Sequence, residues 1–234
     1  MKRKYFMAIV PVALLAVIPL LTTLHRSCFR GTAVEPLPEV PEESVMTMGS
    51  DDAGYVITLL FDYQCSHCRT LHQMLPKVVE MSGGDIAFRL CPTPLSTRCN
   101  PYIPLADMDP FEGSCELART ALAVWYSAPE RFPEFDDWMF SGQDMTGWHP
   151  RPVAEAQAYA GELLAASSQD LTDAMNNPMI SDAIALHTEL LGRTSAGNAG
   201  GIPRLIFGQR WLVPKADDAE SLLSDIVSQL IGKE

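Results

Sequence analysis

The chain has 234 residues, 47% hydrophobic and 20% charged, with a formal net charge of −12. The first thirty residues hold five Lys or Arg and no acid, which leaves the remainder at net −17. A phosphate-binding surface needs the opposite sign, so nucleic acid is excluded as a partner, while about 200 residues after the N-terminal segment suffice for one sizeable core.

Lys2-Arg3-Lys4 precedes an uncharged apolar stretch, residues 5–24, long enough to span a bilayer. The basic flank puts residues 1–4 in the cytoplasm and the domain outside it, although Arg26 and Arg30 on the far side weaken the bias. Gly31-Thr32-Ala33 is the nearest cleavage-like sequence and lies far from the apolar run. Residues 1–30 are therefore expected to be an uncleaved anchor, with a cleaved signal as the alternative. Cys28 follows His25-Arg26-Ser27, a poor lipoprotein signal. Residues 31–50 interleave Pro36, Pro38 and Pro41 with Glu35, Glu39, Glu42 and Glu43 without apolar periodicity, and read as an extended, solvated tether.

The domain expected over residues 51–234 opens with the β-rich run Tyr55 to Phe61, then Cys65-Ser66-His67-Cys68, then a helical pattern. This setting places Cys65 at the helix start, where free backbone N–H groups and the helix dipole stabilise a thiolate, the nucleophile of disulfide exchange. Cys68, one turn deeper, can reach the same sulfur. His67 adds a donor and partial positive charge, which lowers the Cys65 pKa and makes the disulfide a stronger oxidant. A zinc site would need two further ligands, and His67 and His72 share the helix with the cysteines, so no metal is expected. Pro76 predicts a kink in that helix. Asp62, at the strand end, is either a proton relay near Cys68 or an outward-facing side chain.

A second strand is predicted over 85–91, followed by helices at 114–127, 132–140, 152–167, 171–176 and 178–191. A hairpin then follows Gly201-Ile202-Pro203, and a last helix at 216–231 carries an apolar face made by Ala219, Leu222, Leu223, Ile226, Val227 and Leu230. His149 and His187 read as surface or capping residues, since neither has a metal-ligand spacing. Cys91, Cys99 and Cys115 allow one disulfide in any of three pairings, with Cys91 reading as a small buried apolar residue.

The stretch from Leu60 to Arg69 (LFDYQCSHCR), together with Cys99-Asn100, Ser114-Cys115-Glu116-Leu117-Ala118 and Gly201-Ile202-Pro203, resembles the DsbA-like branch of the thioredoxin superfamily. The likeness is strongest to thioredoxin-like domains that occur alone or fused to vitamin K epoxide reductase homologues. It implies an α/β thioredoxin fold over residues 51–234, with a helical subdomain inserted at about 107–196. It further implies that Cys65 is the attacking cysteine, Cys68 the resolving one and Pro203 a cis-proline. Ser66 and Ile202 become substrate-binding positions, Ile202 through its backbone, and Cys99 pairs with Cys115. Ser66 replaces the usual proline and Ile202 the usual threonine or valine, which leaves redox potential and substrate preference open. The implied activity is a periplasmic or otherwise extracytoplasmic thiol–disulfide oxidoreductase that gives its disulfide to folding proteins. It needs no cofactor beyond its dithiol, and a membrane protein of DsbB or vitamin K epoxide reductase type reoxidises it. A reductase or isomerase of the same fold, and a membrane-tethered chaperone that uses the dithiol little, are the alternatives.

Overall fold

A computed structural model of the chain describes residues 32–41, 45–104, 109–144, 147–195 and 201–231. The apolar stretch at 5–24 and Cys28 lie outside them, and among the described residues no helix is long and apolar enough to cross a membrane. The strands are β1 (Thr32–Ala33), β2 (Met46–Met48), β3 (Tyr55–Phe61), β4 (Ile86–Pro92), β5 (Gln143–Asp144), β6 (Gly147–Trp148), β7 (Arg204–Phe207) and β8 (Trp211–Val213). The helices are α1 (Ser66–His72), α2 (Leu75–Met81), α3 (Ser114–Ser127), α4 (Phe132–Ser141), α5 (Val153–Leu164), α6 (Ser168–Met175), α7 (Pro178–Ser195) and α8 (Ala219–Ile231).

Six strands form one mixed sheet in the order β1-β8-β7-β3-β4-β2, and β5 pairs only with β6. β3 and β4 run parallel in the register Leu59↔Leu90, as the helical crossover between them requires, and every other pairing is antiparallel. Ile86, Ala87, Phe88, Leu90 and Cys91 of β4 are all at most 2% exposed. Side chains of both parities are thus covered, which explains why this strand reads as a continuous apolar run rather than an alternating one. α2 packs with α8 and α3 with α7 around the sheet, while α3 to α6 pack among themselves as a helical layer inserted between β4 and β7.

The segment expected as a solvated tether is part of the fold. Thr32 and Ala33 pair with Leu212 and Trp211, Leu37 N donates to Gln209 O at 2.9 Å, and Met46–Met48 pair with β4 on the opposite edge. Leu37, Val40, Val45 and Met46 are buried. These four apolar side chains outweigh the solvated character of the interspersed Pro and Glu, so the packed unit begins before residue 51. The expected kink at Pro76 is a break: α1 ends at His72, and Pro76 stands in the first turn of α2, where a missing N–H leaves no helical bond unmade. α5 stops at Leu164 rather than running to residue 167, because Ala165 takes a left-handed conformation (φ 48°) and Ser167 starts the next helix with a reciprocal capping box to Asp170. Likewise α8 starts at Ala219 rather than 216, after Asp218, whose carboxylate accepts from Ser221 N at 2.7 Å.

Candidate active site

β3 carries the chain into a tight turn in which Cys65 N donates to Asp62 O at 3.1 Å, and this turn sets Cys65 as the N-cap of α1 with extended backbone angles (φ −92°, ψ 115°). Its sulfur then accepts the orphan N–H of Cys68 at 3.3 Å, the bond that a capping side chain normally supplies with oxygen. On the next strand, Arg204 pairs with Leu60, which brings the preceding residues beside Cys65. The Ile202–Pro203 bond is cis, and Cys65 Sγ lies 3.9 Å from Ile202 O.

Cys65 and Cys68 are both free thiols here and differ sharply in acidity. Cys65 is lowered, first by the Cys68 thiol donating to its sulfur and then by backbone N–H groups of Cys68 and His67, against the opposing effects of burial and the Asp62 charge. Cys68 is raised well above an ordinary thiol, chiefly by burial and by the hydrogen bond its thiol donates to the Cys65 sulfur. One sulfur is thus prepared as a nucleophile and the other keeps its proton until needed. The expected contribution of the His67 ring takes a different form: His67 acts on Cys65 through its amide, while its side chain is exposed on the rim of a groove of ≈ 180 Å³. Leu71, Met74, Pro203, Leu205 and Val213 supply the apolar lining of that groove. Ser66 is exposed beside His67, and Ile202 is 5% exposed with its carbonyl turned toward Cys65.

Asp62 does not face outward. It is 3% exposed, and its carboxylate accepts from Gln64 N (2.7 Å), Leu95 N (2.7 Å) and the Ser114 hydroxyl. Burial raises its pKa, opposed by those three bonds. Cys99 and Cys115 form a disulfide with Cα atoms 6.1 Å apart, closing the loop that leads into α3. Cys91 is fully buried and its thiol is pushed far up by desolvation.

His149 is exposed, but His187 is not a surface residue. It is completely buried, with Nδ1 3.0 Å from Pro92 O, and burial pushes its pKa down to about 4. It therefore stays neutral as a packed ring. Tyr63, His72 and Asp136, which the sequence reading left unassigned, form a buried cluster under α1. Only the flanking positions of Tyr63 and His72 around the CxxC could have singled them out. Among the described residues no group of three or more His, Cys, Asp or Glu is arranged to hold a metal ion.

A mixed sheet with a CxxC at the N-cap of its first core helix, a cis-proline opposite and a helical insertion define a DsbA-like thioredoxin fold. Known structures share it. The catalytic domain of Proteus mirabilis ScsC matches with a TM-score of 0.60 at 18% identity, covering 91% of this chain and 98% of that one. A periplasmic thioredoxin-like protein from Salmonella enterica serovar Typhimurium matches at 0.57 and 18% identity (89% and 97% covered). The thiol-disulfide exchange protein alpha-DsbA2 from Wolbachia pipientis matches at 0.57 and 15% identity (94% and 98% covered). No protein-family model and no curated protein matches the sequence.

Proposed function

We propose that the chain is an extracytoplasmic thiol–disulfide oxidoreductase that donates a Cys65–Cys68 disulfide to folding proteins. The observation that carries this reading is the split in acidity between two hydrogen-bonded thiols at one helix N-terminus, the acidic one facing a cis-proline. In the donating direction, a substrate thiolate attacks Cys65 Sγ of the disulfide. Cys68 leaves and takes up a proton, and Cys65 is left in a mixed disulfide. A second substrate thiolate then attacks the substrate's own sulfur in that bond and releases Cys65 as the thiolate that its environment stabilises. Ile202 O and the groove beside Pro203 are suited to holding an extended peptide during the exchange. Location outside the cytoplasm is supported by the Cys99–Cys115 bridge, by the basic-then-apolar N-terminus, and by the description of the Salmonella relative as periplasmic. A membrane redox partner that reoxidises the dithiol belongs to the same proposal.

Equilibration with glutathione tests it. A reduction potential near about −120 mV supports donation of disulfides, and one near about −270 mV reverses the direction to reductase. The Cys65→Ala variant should lose all exchange activity. A variant that retained the protein's cellular role without that sulfur would instead indicate a binding module.

A further inference from the structure

Asp136 lies in α4, within the helical insertion, yet both its carboxylate oxygens are committed to the two flanks of the CxxC. Oδ1 accepts from the Tyr63 hydroxyl at 2.8 Å, two residues before Cys65, and Oδ2 meets His72 Nε2 at 2.5 Å, one turn after Cys68. The three residues are 1–4% exposed. Phe140, one turn further along α4, packs tilted against both rings, its centroid 4.4 Å from that of His72 and 5.1 Å from that of Tyr63, and its carbonyl accepts from Arg69 Nε at 2.9 Å. A single helix of the insertion therefore grips the turn that leads into the redox pair and the helix that leads out of it.

The charged and titratable groups around His72 are Asp136 and Asp137 from α4, Tyr63 from the lead-in turn, and Arg69 and Cys68 on its own helix. Burial works against the imidazolium, but the Asp136 carboxylate, with Asp137 beyond it, more than offsets this and holds the His72 pKa above its ordinary value. With its proton, the His72–Asp136 pair is neutral; without it, the pair is a buried negative charge. Cys68 and His72, spaced i and i+4, share one face of α1, so that charge appears one turn from the dithiol.

We propose that Asp136 is a positioning residue for the redox pair, and that the proton of the His72–Asp136 pair is coupled to the redox state of Cys65 and Cys68. The coupling rests on the reading above that this pair cycles. When glutathione disulfide oxidises the reduced form, the Cys65 thiolate and Cys68 thiol become the Cys65–Cys68 disulfide. Two electrons pass to the glutathione disulfide, which becomes one thiolate and one thiol with the Cys68 proton. The negative charge on Cys65 is lost in that step, and any attraction it exerts on a proton at His72, two turns along the same helix, is lost with it. Linkage makes the effect reciprocal.

The test is an NMR titration of the His72 ring in the full chain, from about pH 5 to about pH 9, in the dithiol and disulfide forms. The His72 pKa should be higher in the dithiol form by about half a unit. Correspondingly, the potential plotted against pH should bend at the His72 pKa and lose that bend in His72→Gln. Identical His72 titrations in the two forms would overturn the proposal, and because this arm uses the wild-type chain it decides the matter even where His72→Gln does not fold. Failure of the redox reading itself looks different: no Cys65–Cys68 disulfide would form at any glutathione ratio.

Discussion

The two cysteine pairs have much in common. Each places one sulfur at the start of a helix, Cys65 as the N-cap of α1 and Cys115 in the first turn of α3, and the two are almost equally buried, at 7% and 5% exposed. Yet Cys65 stays a free thiol beside Cys68, while Cys115 is closed onto Cys99, sixteen residues away. Neither a helix N-terminus nor burial therefore distinguishes a reactive sulfur from a fastening one. The surroundings do. Cys65 adjoins a cis-proline and an open groove, whereas described residues of the Cys99–Cys115 loop are bonded back to the segment before it, Asp109 accepting from Ser96 (2.6 Å) and Asn100 donating to Pro94 O (2.6 Å).

The contrast is sharpened most by alkylating the reduced chain with iodoacetamide at neutral pH. Cys65 should react more than about 100-fold faster than Cys91, with Cys68 between them, because thiolate fraction and access both favour it. Comparable rates by peptide mapping would erase the distinction. Next, replacing both Cys99 and Cys115 by Ala should lower stability by about 2–4 kcal/mol in urea melts. The rate at which Cys65 reacts with glutathione disulfide should stay within about twofold, as independent sites predict. A larger drop in rate would show that the bridge serves the redox site. The smallest effect is expected at Ser114→Ala, which removes the hydroxyl joining the two regions through Asp62 and should cost about 1–2 kcal/mol. That bond favours the ionised carboxylate, so its loss raises the Asp62 pKa further. The deficit should be full above the variant's raised Asp62 pKa and shrink as pH falls from there to the wild-type Asp62 pKa; a pH-independent deficit would deny the link.

The redox core was legible because its determinants are local. A β-rich run, a CxxC and a helical pattern are contiguous, and α3 begins and ends where its apolar spacing places it, at Ser114 and Ser127. What escaped was built from long-range contacts. Tyr63 and His72 meet Asp136 across 73 and 64 residues, and nothing in an isolated His or Asp says which will find the other. β1 and β2 have two and three residues, too few to show a period of two among prolines and glutamates. The surface or capping reading of His187, and the outward-facing alternative for Asp62, follow the usual place of polar residues, and both side chains are buried instead. His187 is held through Nδ1 by a backbone carbonyl, with Nε2 packed without a hydrogen bond, and Asp62 by two amides and a hydroxyl.

The direction of β1 has a consequence for how the molecule is aimed. β7 leaves Pro203, β8 returns toward it, and β1 runs antiparallel to β8, with Thr32 opposite Leu212. Thr32, where β1 starts, therefore lies at the end of the sheet where Val213, Pro214 and Lys215 border the groove with His67 and Pro203. Anything that holds the chain at Thr32 thus holds it on the thiol side of the sheet, and leaves the β7–β8 turn at the opposite end pointing away.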